Sequence, residues 1–263
     1  MNKRLWIALI VYALWITVTL AGAQWLLGGK DAELDELVKN GVGWQFVGAV
    51  ALLFAAIAAF KWRDMDFGAP RSLLKVMWFP MLVLLAISSL ALTTGMPEGK
   101  VMFFVIFNTF LVGLSEEVMF RGVLFRALLE NFKVWPAIII TTVLFGAVHI
   151  LNGFTTGDWG GALVQAAAAG MSGMIFMAIV IRTGSLWPAI IYHFLWDCVL
   201  FLMGTASAAK PETAANPEIE AALAGGGAVL FPLLLALPNF ICGLILLRKL
   251  RDTRFRDEDA RNA

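Results

Sequence analysis

Residues 101–128 read VMFFVIFNTFLVGLSEEVMFRGVLFRAL, an apolar run that carries Glu116, Glu117 and Arg121 in its second half. About 20 apolar residues of helix cross the hydrocarbon core of a bilayer. An ionised side chain near the centre of that core costs about 2.5–3.5 kcal/mol on insertion scales. Charges placed at such depth point to use rather than decoration. Neighbouring residues on a helix project about 100° apart, so the two carboxylates cannot share one task. Arg121 follows Glu117 by four residues in the favourable order for an ion pair, and is expected to neutralise it. That leaves Glu116 to face a cavity. Reading the segment as a helix emerging into water leaves Phe120, Val123, Leu124, Phe125 and Leu128 unexplained, because the apolar pattern continues past the charges.

Outward from this run, seven more apolar segments lie at about 5–27, 44–60, 74–94, 136–151, 162–181, 186–203 and 227–247. The 263 residues are 60% hydrophobic and 15% charged, with a mean hydropathy of +0.81. A soluble domain of this length has too little interior for so much apolar side chain. The expected fold is all-α: a polytopic membrane bundle of about eight transmembrane helices, forming one integral membrane domain over residues 1–263. Its motif-bearing core is about 101–203, and 248–263 is a cytoplasmic tail. Pro136 and Pro188 each follow a Trp and open a span, while Pro232 and Pro238 should loosen the last one. Ala21-Gly22-Ala23 resembles a signal-peptidase site, but the apolar run continues through Leu27, so the first span is expected to be retained. A short surface helix at 31–39 and a helix starting at Asn216-Pro217-Glu218 are further expectations. Cys198 and Cys242 have no ligand or redox spacing and read as packing residues. A net charge of +1 gives no reason to expect a nucleic-acid partner.

Basic residues set the orientation. Lys3 and Arg4 precede the first span; Lys61, Arg63, Arg71 and Lys75 lie in or beside the second connection; Arg126, Lys133 and Arg182 follow later spans; and a cluster from Arg248 to Arg261 follows the last. The alternate connections hold only Lys30, Lys39, Lys100 and Lys210. By the positive-inside rule both termini are cytoplasmic, in what reads as a prokaryotic inner membrane.

Two more polar clusters lie at membrane depth. His149 closes Phe145-Gly146-Ala147-Val148-His149, and His193-Phe194-Leu195-Trp196-Asp197 stacks a carboxylate on an imidazole four residues away. The chain has only these two histidines. A glutamate near imidazoles can deprotonate water; the trio Glu116, His149 and His193 is equally a candidate set for zinc with an open position. At 1.5 Å per residue, Glu116 and His149 lie roughly 20 Å from the cytoplasmic ends of their helices and His193 roughly 10 Å. They are expected to meet in the inner half of the bilayer, in a cavity open to the cytoplasm.

The order E-E-x-x-x-R (Glu116–Arg121), F-x-x-x-H (Phe145–His149) and H-x-x-x-N/D (His193–Asp197) resembles the CPBP family, the CAAX prenyl proteases and bacteriocin-processing enzymes also called Abi proteins. The resemblance implies an eight-helix intramembrane endopeptidase acting on a membrane-associated, in some branches lipidated, protein or peptide. It implies that Glu116 is the general base, that His149 helps to hold water, and that His193 and Asp197 stabilise the oxyanion. Glu117, Arg121 and Phe145 would be supporting residues. The prenyl-protease branch has Asn where this chain has Asp197, and an ionised Asp cannot donate to an oxyanion. Two other readings stand beside it. Gly170-Met171-Ser172-Gly173 with His193 would suit a rhomboid-like serine protease, and intramembrane Glu and His also serve proton-coupled transporters or immunity-type binding proteins.

Overall fold

The structure is a computed structural model that describes residues 2–26, 38–39, 41–208 and 228–251. Of the expected helix at 31–39 only Val38 and Lys39 are described, and both are helical; the helix expected from Asn216 lies outside the described residues. Among those described, the chain is all helical. Its spans are α1 (Lys3–Leu26), α2 (Trp44–Ala59), α3 (Leu73–Thr94), a long fourth span built from α4 (Gly99–Glu117), a π-helical turn (Val118–Leu124) and α5 (Phe125–Leu129), then α6 (Val134–Val148). A 3₁₀ turn (His149–Asn152) and α7 (Gly153–Thr156) extend α6, and α8 (Trp159–Thr183), α9 (Trp187–Ala208) and α10 (Ala228–Leu247) complete the bundle. Among the described residues seven helices are long and apolar enough to cross a membrane, and α2 is a shorter apolar helix of 16 residues. This is a multi-pass membrane protein. The sequence segments and the observed spans agree to within a few residues, because unbroken apolarity over a bilayer's thickness leaves the backbone no alternative to helix.

α8 is the central helix. Its most apolar window is 61% buried inside the protein, against 22% for α1 and α10 at the periphery. It is delimited by local chemistry: the Asp158 side chain accepts a hydrogen bond from the Gly161 N–H at 2.9 Å, and Gly184 ends it at φ +64. Close approach of α8 to α6 needs Gly146, where an added Cβ would meet the Ala166 carbonyl oxygen at 2.7 Å. Gly170 lies against Gly146 and Gly173 against Phe145, so these glycines serve packing, as small residues do where helices meet in lipid.

One end of the bundle holds the start of α1, the end of α10 and the 60–72 connection. Arg4 forks onto Asp64 with two 2.8 Å bonds and reaches Glu130 at 2.8 Å; Arg126 pairs with Asp66. Leu186 N–H donates to the Asp66 carbonyl at 2.8 Å and Ser185 Oγ to Gly68 O at 2.7 Å. The 60–72 segment thereby fixes where α9, and with it His193, begins. At the opposite end, buried Asn108 on α4 is fully used: it donates to Val38 O and Gly41 O and accepts from Gly43 N–H.

Candidate active site

The fourth span supplies both carboxylates where α-helix passes into π-helix. The π turn begins at Val118, directly after Glu117, and all seven of its residues are buried. A π turn shifts the register of the helix beyond it, and such turns concentrate at functional sites. Arg121 lies within it and donates through Nη1 to Glu117 Oε1 at 2.9 Å, both side chains being wholly enclosed. Its Nη2 donates to the Gly173 carbonyl at 2.9 Å, and the guanidinium lies over Phe145, 4.3 Å from the ring centroid. The expected pairing of Arg121 with Glu117 is therefore present, and Glu116 is left free of it.

Glu117 has a second partner. Its Oε1 also lies 2.9 Å from His193 Nδ1. A carboxylate paired with arginine only accepts, so the His193 ring carries its hydrogen on Nδ1 and turns Nε2 the other way. Glu117 reaches His193 across the α4–α9 contact, whereas Asp197 shares its helix. Asp197 Oδ2 instead lies 3.4 Å from His193 Nε2. Phe176 on α8 stacks on the imidazole, 4.4 Å between centroids at 19°, a contact with no sequence signal. The α4–α9 approach itself depends on Gly113, where a Cβ would meet Phe194 N at 3.0 Å.

Glu116 occupies the middle of the cluster. Its Oε2 lies 3.8 Å from His193 Nε2 and 4.0 Å from His149 Nε2, and it is a buried oxygen with no protein hydrogen-bond partner. His149 sits just past the end of α6, where the helix tightens to 3₁₀. Its Nδ1 donates to the Phe145 carbonyl at 2.8 Å, so Nε2 turns toward Glu116. All seven residues named from the three motifs thus meet in one place.

The zinc candidates fit less well. Two ligand atoms each about 2.0–2.1 Å from a tetrahedral zinc lie about 3.4 Å apart, closer than Glu116 stands to either imidazole. Among the described residues no three His, Cys, Asp or Glu side chains gather closely enough to hold a metal. Ser172 is buried on α8 and borders the same space as His193, but both ring nitrogens of that histidine already face carboxylates, which leaves none to activate a serine.

Two cavities reach the cluster. One, of about 400 Å³, is bordered by Glu116, His149 and Asp197 and continues past Thr19, Gln45 and Gln165. The other, of about 570 Å³, is bordered by His149, His193 and Asp197 and continues past Asp158 and Phe231. Both run toward the end of the bundle opposite Lys3 and Leu247, to the last turns of α1 and the first turns of α2, α8 and α10. In the other direction Phe120, Leu124, Phe125, Met177, Ile179 and Ile190 are at most 1% exposed and close the floor. The described start of α1 and end of α10 lie at the end of the bundle opposite the cavities. Depth counted along helices gives the distance of the site from one surface, but only packing shows which direction is filled. Gln45 and Gln165, polar residues within apolar helices, are cavity walls that sequence reading missed, although polarity at membrane depth is the signal that exposed Glu116.

Fold and site together define a polytopic helical membrane protein with a buried carboxylate–imidazole cluster fed by internal cavities. Residues 98–199 match the family model described as Rce1-like, type II CAAX prenyl endopeptidase Rce1-like. The matched segment contains all three motifs, and it bears out the resemblance to the CPBP and CAAX protease family. Comparison with curated proteins and with solved structures finds no match.

Proposed function

We propose that this protein is an intramembrane endopeptidase in which Glu116 activates water. The observation that carries the reading is Glu116 Oε2: buried, without a protein partner, and within 3.8 and 4.0 Å of two imidazole nitrogens. A water at ordinary hydrogen-bond distance, about 2.8 Å, from both Glu116 Oε2 and His149 Nε2 fits a 4.0 Å gap. It donates one hydrogen to each and keeps a lone pair for the scissile carbonyl carbon. Attack moves its proton to Glu116 and places negative charge on the carbonyl oxygen. His193 Nε2, fixed by Glu117 behind it, is the donor for that oxyanion when the ring is doubly protonated; Asp197 donates only in its carboxylic-acid form. Collapse of the intermediate breaks the C–N bond, and Glu116 returns its proton to the leaving amine. The amide side chains of Gln45, Asn152 and Gln165 suit a peptide backbone in the adjoining cavity. The substrate is a membrane-associated polypeptide.

The test is cleavage of a quenched peptide library by the purified protein in detergent, with Glu116→Gln and His149→Ala compared against wild type, each with and without chelator. Activity lost in both variants and indifferent to chelator supports the glutamate reading. Activity abolished by chelator and restored by zinc overturns it in favour of a metal. Cleavage that survives Glu116→Gln removes Glu116 from the chemistry.

A further inference from the structure

We propose that Trp15 on α1 and Gln45 on α2 bind the substrate, holding its main chain at two points about three residues apart. The proposal rests on the protease reading of the Glu116 site and adds how the polypeptide is gripped there. Both side chains border the cavity of about 400 Å³ that begins at Glu116, and both lie outside the three sequence motifs. They are 3% and 4% exposed, yet Trp15 Nε1 and Gln45 Oε1 have no protein hydrogen-bond partner. A buried donor or acceptor is ordinarily paired, so each one left over requires a reason. Among the described residues, these two atoms and Glu116 Oε2 are the only buried side-chain atoms bordering this cavity that lack a partner. Asn152 and Gln165, also on its wall, bond to each other at 2.8 Å.

The two atoms are complementary to a peptide backbone. An indole N–H only donates and an amide oxygen only accepts, which matches one C=O and one N–H of a main chain whatever its side chains. Both groups are held in place. The Trp15 ring lies edge-on to Phe120, 5.7 Å between centroids at 86°, and nearly parallel to Tyr12 at 6.3 Å. Phe120 follows Glu116 by four residues on the fourth span, which sets the indole within about one helical turn of the reacting carboxylate. Gln45 packs against α1 at Gly22, where an added Cβ would stand 2.8 Å from the Gln45 Cβ. Gly22 is seven residues beyond Trp15, roughly 10 Å along a helix and the length of about three residues of extended chain. Trp15 therefore grips beside the scissile bond, and Gln45 about three residues away from it.

The experiment measures binding rather than turnover. Full-length Glu116→Gln protein in detergent is titrated into fluorescein-labelled peptides from the library, and anisotropy gives Kd for it alone, with Trp15→Phe added, and with Gln45→Met added. Phe keeps the aromatic packing and Met the side-chain length, while each removes the hydrogen-bonding group. Each change is expected to weaken binding roughly threefold to tenfold. The tightest-bound peptide is then remade with single backbone N–H groups replaced by ester oxygen, which deletes a donor and leaves the adjoining carbonyl a poorer acceptor. One ester should weaken binding severalfold with Gln45 present and not with Gln45→Met. A second, about three residues along the peptide, should do so with Trp15 present and not with Trp15→Phe. A variant that merely folds badly loses affinity for every ester alike and shows no such coupling. Losses that add at every ester position, equal Kd in all three proteins, or no library peptide bound by any of them overturns the proposal. The outcome is separate from the cleavage assay: Glu116 can fail as the base while the grip stands, and the grip can fail while cleavage still depends on Glu116.

Discussion

Replacing Arg121 by Met keeps most of its volume but withdraws the charge that balances Glu117. The loss can be worked from three contacts: the 2.9 Å bond to Glu117, the 2.9 Å bond to the Gly173 carbonyl, and the cation placed 4.3 Å from the Phe145 ring. Both members of the ion pair are wholly enclosed. Removing one partner of a buried pair destabilises by about 3–5 kcal/mol, chiefly because the other charge stays behind. At roughly 2–4 °C per kcal/mol for a chain of this size, Arg121→Met should lower the melting temperature by about 6–20 °C. The decisive part is the cycle. Glu117→Gln retains an oxygen that can accept from His193 Nδ1, and it removes the stranded charge. The Arg121→Met/Glu117→Gln double variant should therefore melt above Arg121→Met alone. Thermal denaturation of the four proteins in one detergent, followed by tryptophan fluorescence, reads this directly. Additive losses, within about 0.5 kcal/mol, would refute the coupling.

Gly113→Val places side-chain carbon where Phe194 N stands 3.0 Å from the Cβ position, pushing α4 from α9 and Glu116 from His193; since a shift of about 1 Å can cost about a hundredfold in rate, peptide cleavage should fall by that order while the protein remains folded by circular dichroism. Phe176→Ala removes the ring stacked on His193 and should cost about 3–5 kcal/mol of stability, measured as the same melting shift, with a larger proportional loss of cleavage than Ile179→Ala, whose side chain belongs to the floor. Asp64 lies outside the spans: burial alone would raise its carboxyl, but the Arg4 guanidinium holds it below the ordinary carboxylate range. A depressed folded value means stability that is present above the unfolded value, about 3.9, and lost as pH falls through the lowered one. The melting temperatures of wild type and Asp64→Asn should accordingly differ at neutral pH and converge in acid, by a small amount because the pair is half exposed.

Much of this protein is legible in its sequence because lipid imposes so few options. Apolar runs of bilayer length must be helices, which is why seven spans and the shorter apolar α2 are readable to within a few residues. A charge inside such a run is expensive enough that Glu116, Glu117, Arg121, His149, His193 and Asp197 stand out unaided, and the i,i+4 spacing of Glu117 and Arg121 names its own ion pair. These are local properties, set by one helix and its solvent. Whatever depends on two helices at once was decided by the tertiary structure. Glu117 reaches His193 Nδ1 because Gly113 lets α4 and α9 touch. Phe176 reaches the imidazole through the packing of α8, and the same packing sets Glu116 3.8 and 4.0 Å from the two imidazoles. The direction in which the site opens depends on which side chains fill the space beneath it, a property of packed volume that no periodicity along the chain encodes.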